Sequence, residues 1–402
     1  MNYQETIEFI YSKLPSLEKE GWGAYKPGLE RIEQQLAQLN DPQNAYPIVH
    51  VAGTNGKGSV SNLLASVLQE AGLKVGLFTS PHLKDFRERI RINGKVVPEQ
   101  YVVDFVAAFS EVPKALNPSF FEYTFAMAMA YFQEQKVDVV VLETGLGGRL
   151  DCTNVVHPIL SIITNVAMDH EQFLGTTLKA IAAEKAGIIK KDTEVIVGRK
   201  QEEIATVFES KAIAENAVIF YAEEAKYPSG LTGACQNENQ ATVLKAVERL
   251  NAKGYGISEI DVQKGLLNVL QNTGLQGRFQ VLQDQPLIVC DVAHNVDGIQ
   301  QLMKQIEALG KKQVHIVWGM SSDKKVNEIL KLLPLNAKYY WCSAVNQRSL
   351  AASELSKQGN KMGLKGQVYS STITAFEGAK KELQSEDLLL VAGSVFVVAE
   401  VL

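Results

Sequence analysis

Cysteine is scarce. The chain has four, Cys152, Cys235, Cys290 and Cys342, far apart and without a CxxC pair, which argues against a zinc ribbon or a disulfide framework and suits a reducing compartment. Long apolar runs are missing as well, and none approaches the roughly 20 residues of a membrane span. The opening MNYQETIEFIYSKL is amphipathic and lacks the basic start and apolar core of a signal peptide. The expectation is a cytoplasmic protein with no membrane partner. Neither sign of charge dominates: 40 Lys and Arg against 45 Asp and Glu leave −5, so nothing electrostatic points to nucleic acid. An anionic ligand would need local positive groups, backbone N–H nests and a few Lys or Arg, to overcome that background. Internal repeats and low-complexity tracts are absent too.

What the chain does have is length and order. At 402 residues it exceeds what one core usually covers, and 46% apolar with 21% charged residues is ordinary for a soluble globular protein. PIVHVAG (47–53) reads as a buried strand. After it, Val60, Leu63, Leu64, Val67, Leu68 and Ala71 follow helical spacing, and Gly72 can stop that helix. KVGLF (74–78), VDVVVLE (137–143), ILSIIT (159–164) and EVIVG (194–198) continue a strand series, implying a parallel sheet covered on both faces. A second series, LIVCD (287–291), VHIVW (314–318), KYYWC (338–342) and DLLLVAG (387–393), follows the polar QNTGLQGRF (271–279). The reading is an α/β protein: a P-loop parallel-sheet ATPase domain over 1–272, a linker over 273–280, and a smaller Rossmann-like C-terminal domain over 281–402.

The strongest local signal is GTNGKGS at Gly53–Ser59, joining a buried strand to an amphipathic helix. Glycines let backbone N–H groups turn toward phosphates, the helix N-terminus adds positive potential, and Lys57 can reach terminal phosphates. The spacing departs from the usual GxxxxGK loop, since Val51 stands at the first Gly position and Gly58 separates Lys57 from Ser59. A glycine-rich surface turn is the alternative. Ser80 and His170 follow strands and Glu143 ends one, and in an open parallel sheet such positions gather on the edge where ligands bind. With phosphate oxygens they would suit Mg²⁺. A solvated Glu and a structural His are the competing readings, and imidazole is not a preferred Mg²⁺ ligand.

GTNGKGS, TSPHLKDFRERIRING (79–94), LETGLGGRLDCTN (142–154), MDHEQFLG (168–175), EKAGIIK (184–190) and DVAHN (291–295) together resemble folylpolyglutamate synthases and bifunctional dihydrofolate/folylpolyglutamate synthases. These are Mur-ligase-like ATP-dependent ligases, and the resemblance runs from about residue 20 to the C-terminus. It implies that Thr54, Asn55, Gly56, Lys57, Gly58 and Ser59 hold ATP phosphates and that Ser80, Glu143 and His170 hold Mg²⁺. Lys185 matches a lysine that the family carries as a carbamate; by itself, beside Glu184, it would read as a solvated charge. Asn239, Arg278 and Asp291 match nucleotide contacts, with His294 in the same DVAHN loop. Their bland readings are a helix cap, a linker charge and a strand-end turn. Phe121, Glu122, Asp151 and Cys152 match contacts to dihydropteroate, with Pro27, Gly28 and Leu29 weaker matches. Phe121 could equally be core, since Phe121, Phe125, Met129 and Phe132 follow helical spacing. Three departures stand out: Cys152 where alanine is often found, a short stretch between Tyr221 and Asn239, and a loose match at VNQRSLAA (345–352).

The resemblance implies an acid–amino-acid ligase, catalytic through Lys57, His170 and Lys185. It would add L-glutamate to dihydropteroate and/or to the glutamate tail of reduced folates, through an acyl phosphate, as a monomer acting on small molecules. Other readings are an extension-only or dihydropteroate-only synthase, a peptidoglycan-type Mur ligase, and a non-catalytic nucleotide-regulated binding protein. A GTPase or motor is disfavoured because no guanine-reading motif follows.

Overall fold

The computed structural model describes residues 1–15, 27–110, 116–224 and 227–402. It divides into two compact units, Met1–Leu231 with Cys235–Leu275, and Thr232–Ala234 with Gln276–Leu402. The first is built on an eight-stranded sheet in the order β4-β3-β2-β5-β1-β6-β7-β8. Its strands are β1 (Ile48–Ala52), β2 (Val75–Phe78), β3 (Ile90–Ile92), β4 (Lys95–Val96), β5 (Val139–Glu143), β6 (Leu160–Ile163), β7 (Glu194–Val197) and β8 (Ile219–Tyr221). From β2 through β8 the neighbours run parallel, and β3 and β4 pair antiparallel at one edge.

The central strands are unbroken runs of β-branched and aliphatic residues because both sheet faces are covered. In β1, Val49 and Val51 point to one face, where they pack with Val60, Leu63, Leu64, Val67 and Leu68 of the helix Lys57–Glu70. Ile48 and Ala52 point to the other, against the helix Phe120–Glu134 on one side and Leu178–Ala186 on the other. Each of those buried leucines and valines contributes about 1.5–3 kcal/mol relative to exposure, so the strand and helix flanking the glycine loop form a rigid frame. Among the described residues no helix is long and apolar enough to cross a membrane.

The second unit carries a six-stranded sheet, β13-β12-β11-β14-β10-β9. It comprises β9 (Gln280–Gln283), β10 (Leu287–Cys290), β11 (Val314–Trp318), β12 (Lys338–Trp341), β13 (Gly366–Val368) and β14 (Leu388–Ala392). All neighbours are parallel except β9, which runs antiparallel to β10 at the edge. Its core is closed by Trp318, Tyr339 and Trp341 with helix residues Ile299, Leu302 and Leu355.

Sequence reading passed over the β3–β4 hairpin. Its turn is Asn93-Gly94, both at positive φ (44° and 74°), which is the backbone a two-residue hairpin demands. It also passed over β8, β9 and β13, edge strands of only three or four residues that are half-buried or exposed. QNTGLQGRF, taken as irregular, starts inside a short helix, Val269–Thr273, which Gly274 ends in a left-handed conformation.

Candidate active site

The loop after β1 is shaped by the residues that follow β6. Gly53 lies so close to Thr164 that a Cβ would sit 1.8 Å from its Oγ1, and Thr164 Oγ1 donates to the Asn55 carbonyl at 2.6 Å. Asn165 accepts from the Asn55 N–H at 3.0 Å, and the Thr54 N–H donates to the Asn165 carbonyl at 2.9 Å. The Thr54 hydroxyl exchanges hydrogen bonds with both backbone groups of Ala167. Gly56, at φ +83°, turns the chain into the helix Lys57–Glu70, leaving that N-terminus at the loop. Thr54 to Lys57 are half-buried, whereas Gly58 and Ser59 are buried behind them. Asn239 stands inside the helix Ala234–Ala252 rather than at its start, and its Oδ1 would meet a Gly56 Cβ at 2.3 Å. It therefore abuts the phosphate loop.

Two lysines meet over this loop. Lys57 Nζ donates to the carbonyls of Gly53 (3.2 Å) and Thr54 (3.4 Å), and Lys185 Nζ donates to the same Gly53 carbonyl at 2.8 Å. Lys185 is only 2% exposed. Burial first, and the Lys57 charge second, push its pKa down to about 7, so at neutral pH much of it is a free amine. The helix carrying it is knit to the GLGGRLD segment. Arg149 pairs with Glu184 at 2.8 Å, the Arg149 N–H donates to the Glu184 carbonyl, and Asn154 Nδ2 donates to the carbonyls of Arg149 and Gly187. Glu184 is thus a tether, and Lys185 is not a solvated charge.

Glu143 ends β5 beside Val51 of β1, while β6 flanks β1 on the other side with Ile163 beside Ala52. The Ser80 N–H donates to the buried Glu143 carboxylate at 3.2 Å. His170 follows β6, at a positive φ of 52°, three residues beyond the Ala167 that grips Thr54, with its ring 3.7 Å from Asp169. The chain thus brings Ser80 to Glu143 directly and the His170 segment to the phosphate loop. Among the described residues no group of three or more His, Cys, Asp or Glu gathers as a metal cage. One carboxylate, one imidazole and one hydroxyl fit a hard cation that takes its remaining oxygens from a nucleotide.

On the neighbouring loop, Phe121 and Asp151 converge over Gly145: a Cβ there would meet the Phe121 ring at 2.6 Å and Asp151 Oδ2 at 3.2 Å. Phe121 is half-buried and packs tilted on Phe78, 5.6 Å between ring centres. The buried Asp151 carboxylate accepts from the N–H groups of Leu146 (2.8 Å) and Thr153 (3.0 Å) and from the Thr153 hydroxyl. Burial raises its pKa and those bonds oppose the rise. Its first occupation is therefore to shape the loop. Glu122 closes a capping box with Ser119 and pairs with Arg31 at 3.2 Å, and burial holds the Cys152 thiol well above its usual pKa. Gly28 has a φ of +111°, and Leu29 precedes the helix Glu30–Ala37 without a side-chain cap.

In the second unit, Asp291 follows β10 and accepts from the N–H groups of Phe279 (2.7 Å) and Ala293 (2.8 Å), holding Phe279 at φ +44°. His294 Nδ1 lies 2.9 Å from the Val292 carbonyl, and Arg278 is half-buried. Sequence reading missed Thr164, Asn165, His50 and Thr153. For His50, Thr164 and Asn165 the available signal was a polar residue inside, or just past the end of, an otherwise apolar strand, whereas Thr153 lies in a short 3-10 helix, Cys152–Val155.

A glycine loop with an invading lysine at the head of a parallel sheet, followed by a second parallel α/β unit, defines the Mur ligase class. The models for the Mur ligase middle domain and the Mur ligase glutamate ligase domain match residues 51–281 and 277–395. Within that class the chain belongs to the dihydrofolate synthase/folylpolyglutamate synthase family. It is 32% identical to the dihydrofolate synthase/folylpolyglutamate synthase of Bacillus subtilis, over 99% of this chain and 98% of that one. It is also 32% identical to a probable bifunctional folylpolyglutamate synthase/dihydropteroate synthase of Haloferax volcanii, of whose length it spans half (50%). Among solved structures it is similar to Escherichia coli FolC in complex with DHPP and ADP, with TM-score 0.87, 30% identity, and coverage of 100% of this chain and 97% of that one. It is likewise similar to a bifunctional folylpolyglutamate synthase/dihydrofolate synthase with Mn, AMPPNP and L-glutamate bound, with TM-score 0.83, 30% identity and 94% coverage of each chain.

Proposed function

We propose that the protein is an ATP- and divalent-metal-dependent ligase that joins L-glutamate to dihydropteroate and to the glutamate tail of reduced folates. The observation that carries this reading is the meeting of Lys57 and Lys185 on the Gly53 carbonyl of a phosphate loop flanked by Glu143. Similar structures in complex with DHPP and ADP, and with Mn, AMPPNP and L-glutamate, support it.

The chemistry has to overcome charge. A substrate carboxylate attacks the γ-phosphorus of ATP, the bond to the bridging β,γ-oxygen breaks, and ADP leaves an acyl phosphate. The glutamate amine then attacks the acyl carbon, the C–O bond to phosphate breaks, and the amine loses a proton to solvent. Lys57, the loop N–H groups and the helix N-terminus would offset repulsion between carboxylate and phosphate in the first step. Ser80, Glu143 and His170 would hold the cation, which supplies further neutralisation of phosphate charge when bound. Phe121 would offer a face to the pterin ring beside Gly145. Asn239, whose Oδ1 abuts Gly56, would contact the nucleotide.

Restriction to polyglutamate extension is a second reading, favoured by the engagement of both Asp151 oxygens in their own loop. A product assay with ATP, glutamate and either dihydropteroate or tetrahydrofolate separates the two. Glutamylated product from both substrates supports the full reading, and product from tetrahydrofolate alone leaves the extension-only enzyme. No product from either refutes the assignment.

A further inference from the structure

His50 lies in the middle of β1, three residues before the phosphate loop, and is completely buried among Ile48, Ala52 and the apolar residues around them. A buried imidazole in an apolar strand is costly unless its nitrogens find partners. One does: Nε2 is 2.9 Å from Thr153 Oγ1. The single hydroxyl hydrogen of Thr153 goes to Asp151 Oδ1, so toward His50 that oxygen can only accept. Nε2 must therefore carry the ring hydrogen and Nδ1 must be bare, and Nδ1 is indeed buried without a hydrogen-bond partner. Burial, assisted by the Lys190 charge, pushes the ring pKa down to about 3, which keeps it neutral.

The hydrogens run in one direction, from His50 Nε2 to Thr153 and from Thr153 to Asp151. At the far end Asp151 Oδ2 accepts from the Leu146 N–H and faces Gly145 beside the Phe121 ring. This chain links the strand that ends in the phosphate loop to the loop that stands next to Phe121. A spare core histidine would need no such order.

We infer that His50 is a positioning residue for the pterin-side substrate: through Thr153 it orients the Asp151 carboxylate and holds the Gly145–Asp151 loop in its receptive shape. The inference rests on the folate-ligase reading above.

The test compares Thr153→Val, which removes only the hydroxyl, with Thr153→Ser, and His50→Leu with His50→Gln, whose amide can donate from nearly the same place. In the full-length enzyme, Thr153→Val and His50→Leu should raise KM for dihydropteroate, or for whichever folate the wild type uses, about tenfold. KM for ATP should stay within about twofold, and Ser and Gln should recover most of the loss. Nitrogen-15 NMR of the wild type should show a neutral His50 with the hydrogen on Nε2, a readout that survives even if His50→Leu does not fold. Equal rises in both KM values, no recovery by Ser and Gln, or a hydrogen on Nδ1 would overturn the inference. Absence of ligation by the wild type with any folate overturns the ligase reading itself and the substrate named with it. A missing KM split in an active enzyme overturns only the role of His50.

Discussion

Lys185 faces the strongest physical constraint in the site, and it should carry a carbamate in the active enzyme. Its pKa falls from 10.5 to about 7 through burial and the nearby Lys57, a displacement equivalent to about 5 kcal/mol against the charged form. At pH 7 its free amine is then on the order of a thousandfold more abundant than in an exposed lysine. The free amine is the form that adds CO₂: nitrogen attacks carbon, a proton leaves to solvent, and an anion replaces a neutral amine beside Lys57. Wild-type protein equilibrated with ¹³C-bicarbonate should show a carbamate carbonyl resonance that Lys185→Ala lacks. The variant should lose about 10²–10³-fold in kcat, the scale of one electrostatic group at a reacting centre. Stripping CO₂ at low pH should depress activity, and bicarbonate should restore it. Full activity with an unmodified lysine by intact mass, or with alanine in its place, would refute the reasoning.

The same displacement makes a stability statement. Unfolded Lys185 stays protonated up to about 10.5, whereas the folded group releases its proton near 7. Between those values the unfolded state binds more protons, so stability of the unmodified protein should rise with pH from about 7 to 10.5. Denaturant midpoints in CO₂-free buffer measure that slope.

Lys57→Met should lower kcat/KM for ATP about 10²–10³-fold with little change in thermal midpoint, because the side chain is half-buried and its amine bonds only two loop carbonyls; unchanged ATP kinetics would remove it from the phosphate site. Glu143→Gln should raise the metal concentration for half-maximal activity by about tenfold or more, since an amide is the poorer ligand for a hard cation. A nucleotide- and manganese-bound structure should then place the metal within direct or single-water reach of Ser80, Glu143 and His170, and a metal elsewhere sinks the assignment. Gly56→Ala should cost about 1–3 kcal/mol of stability and weaken ADP binding together, because its φ is +83° and the new Cβ would lie 2.3 Å from Asn239 Oδ1. Urea titration and calorimetry check both.

Most of the frame was legible because the central strands are buried on both faces and therefore read as plain runs such as IVHVA and VVVLE. The phosphate loop was legible for a related reason: glycines at Gly53 and Gly56 answer positive φ angles and side chains that leave no room for a Cβ. Other features were written down but outweighed. Asn93-Gly94 is a strong hairpin signal that lay inside a motif read for chemistry, and Ser119 with Glu122 spells a capping box. What local patterns cannot carry is the partner brought by a crossover. Nothing near Thr164 in sequence announces Gly53, and nothing near Asn239 announces Gly56.

Those long-range contacts sort the polar residues of the site into two groups. Asp151, Asn165, Thr164 and Asp291 spend their acceptors or donors on backbone groups of adjoining loops, so the loops keep one shape before any ligand arrives. Lys57, Lys185 and Glu143 stand over those loops with charge to balance, and an anionic nucleotide with its cation is the chemistry that balances it. Substitution in the first group should therefore act through stability and loop geometry, and substitution in the second through turnover with the fold retained. The His50–Thr153 pair belongs to the first group by its contacts, yet it acts on the substrate side through Asp151. That is why a split between the two Michaelis constants, rather than a loss of activity alone, is the informative measurement for it.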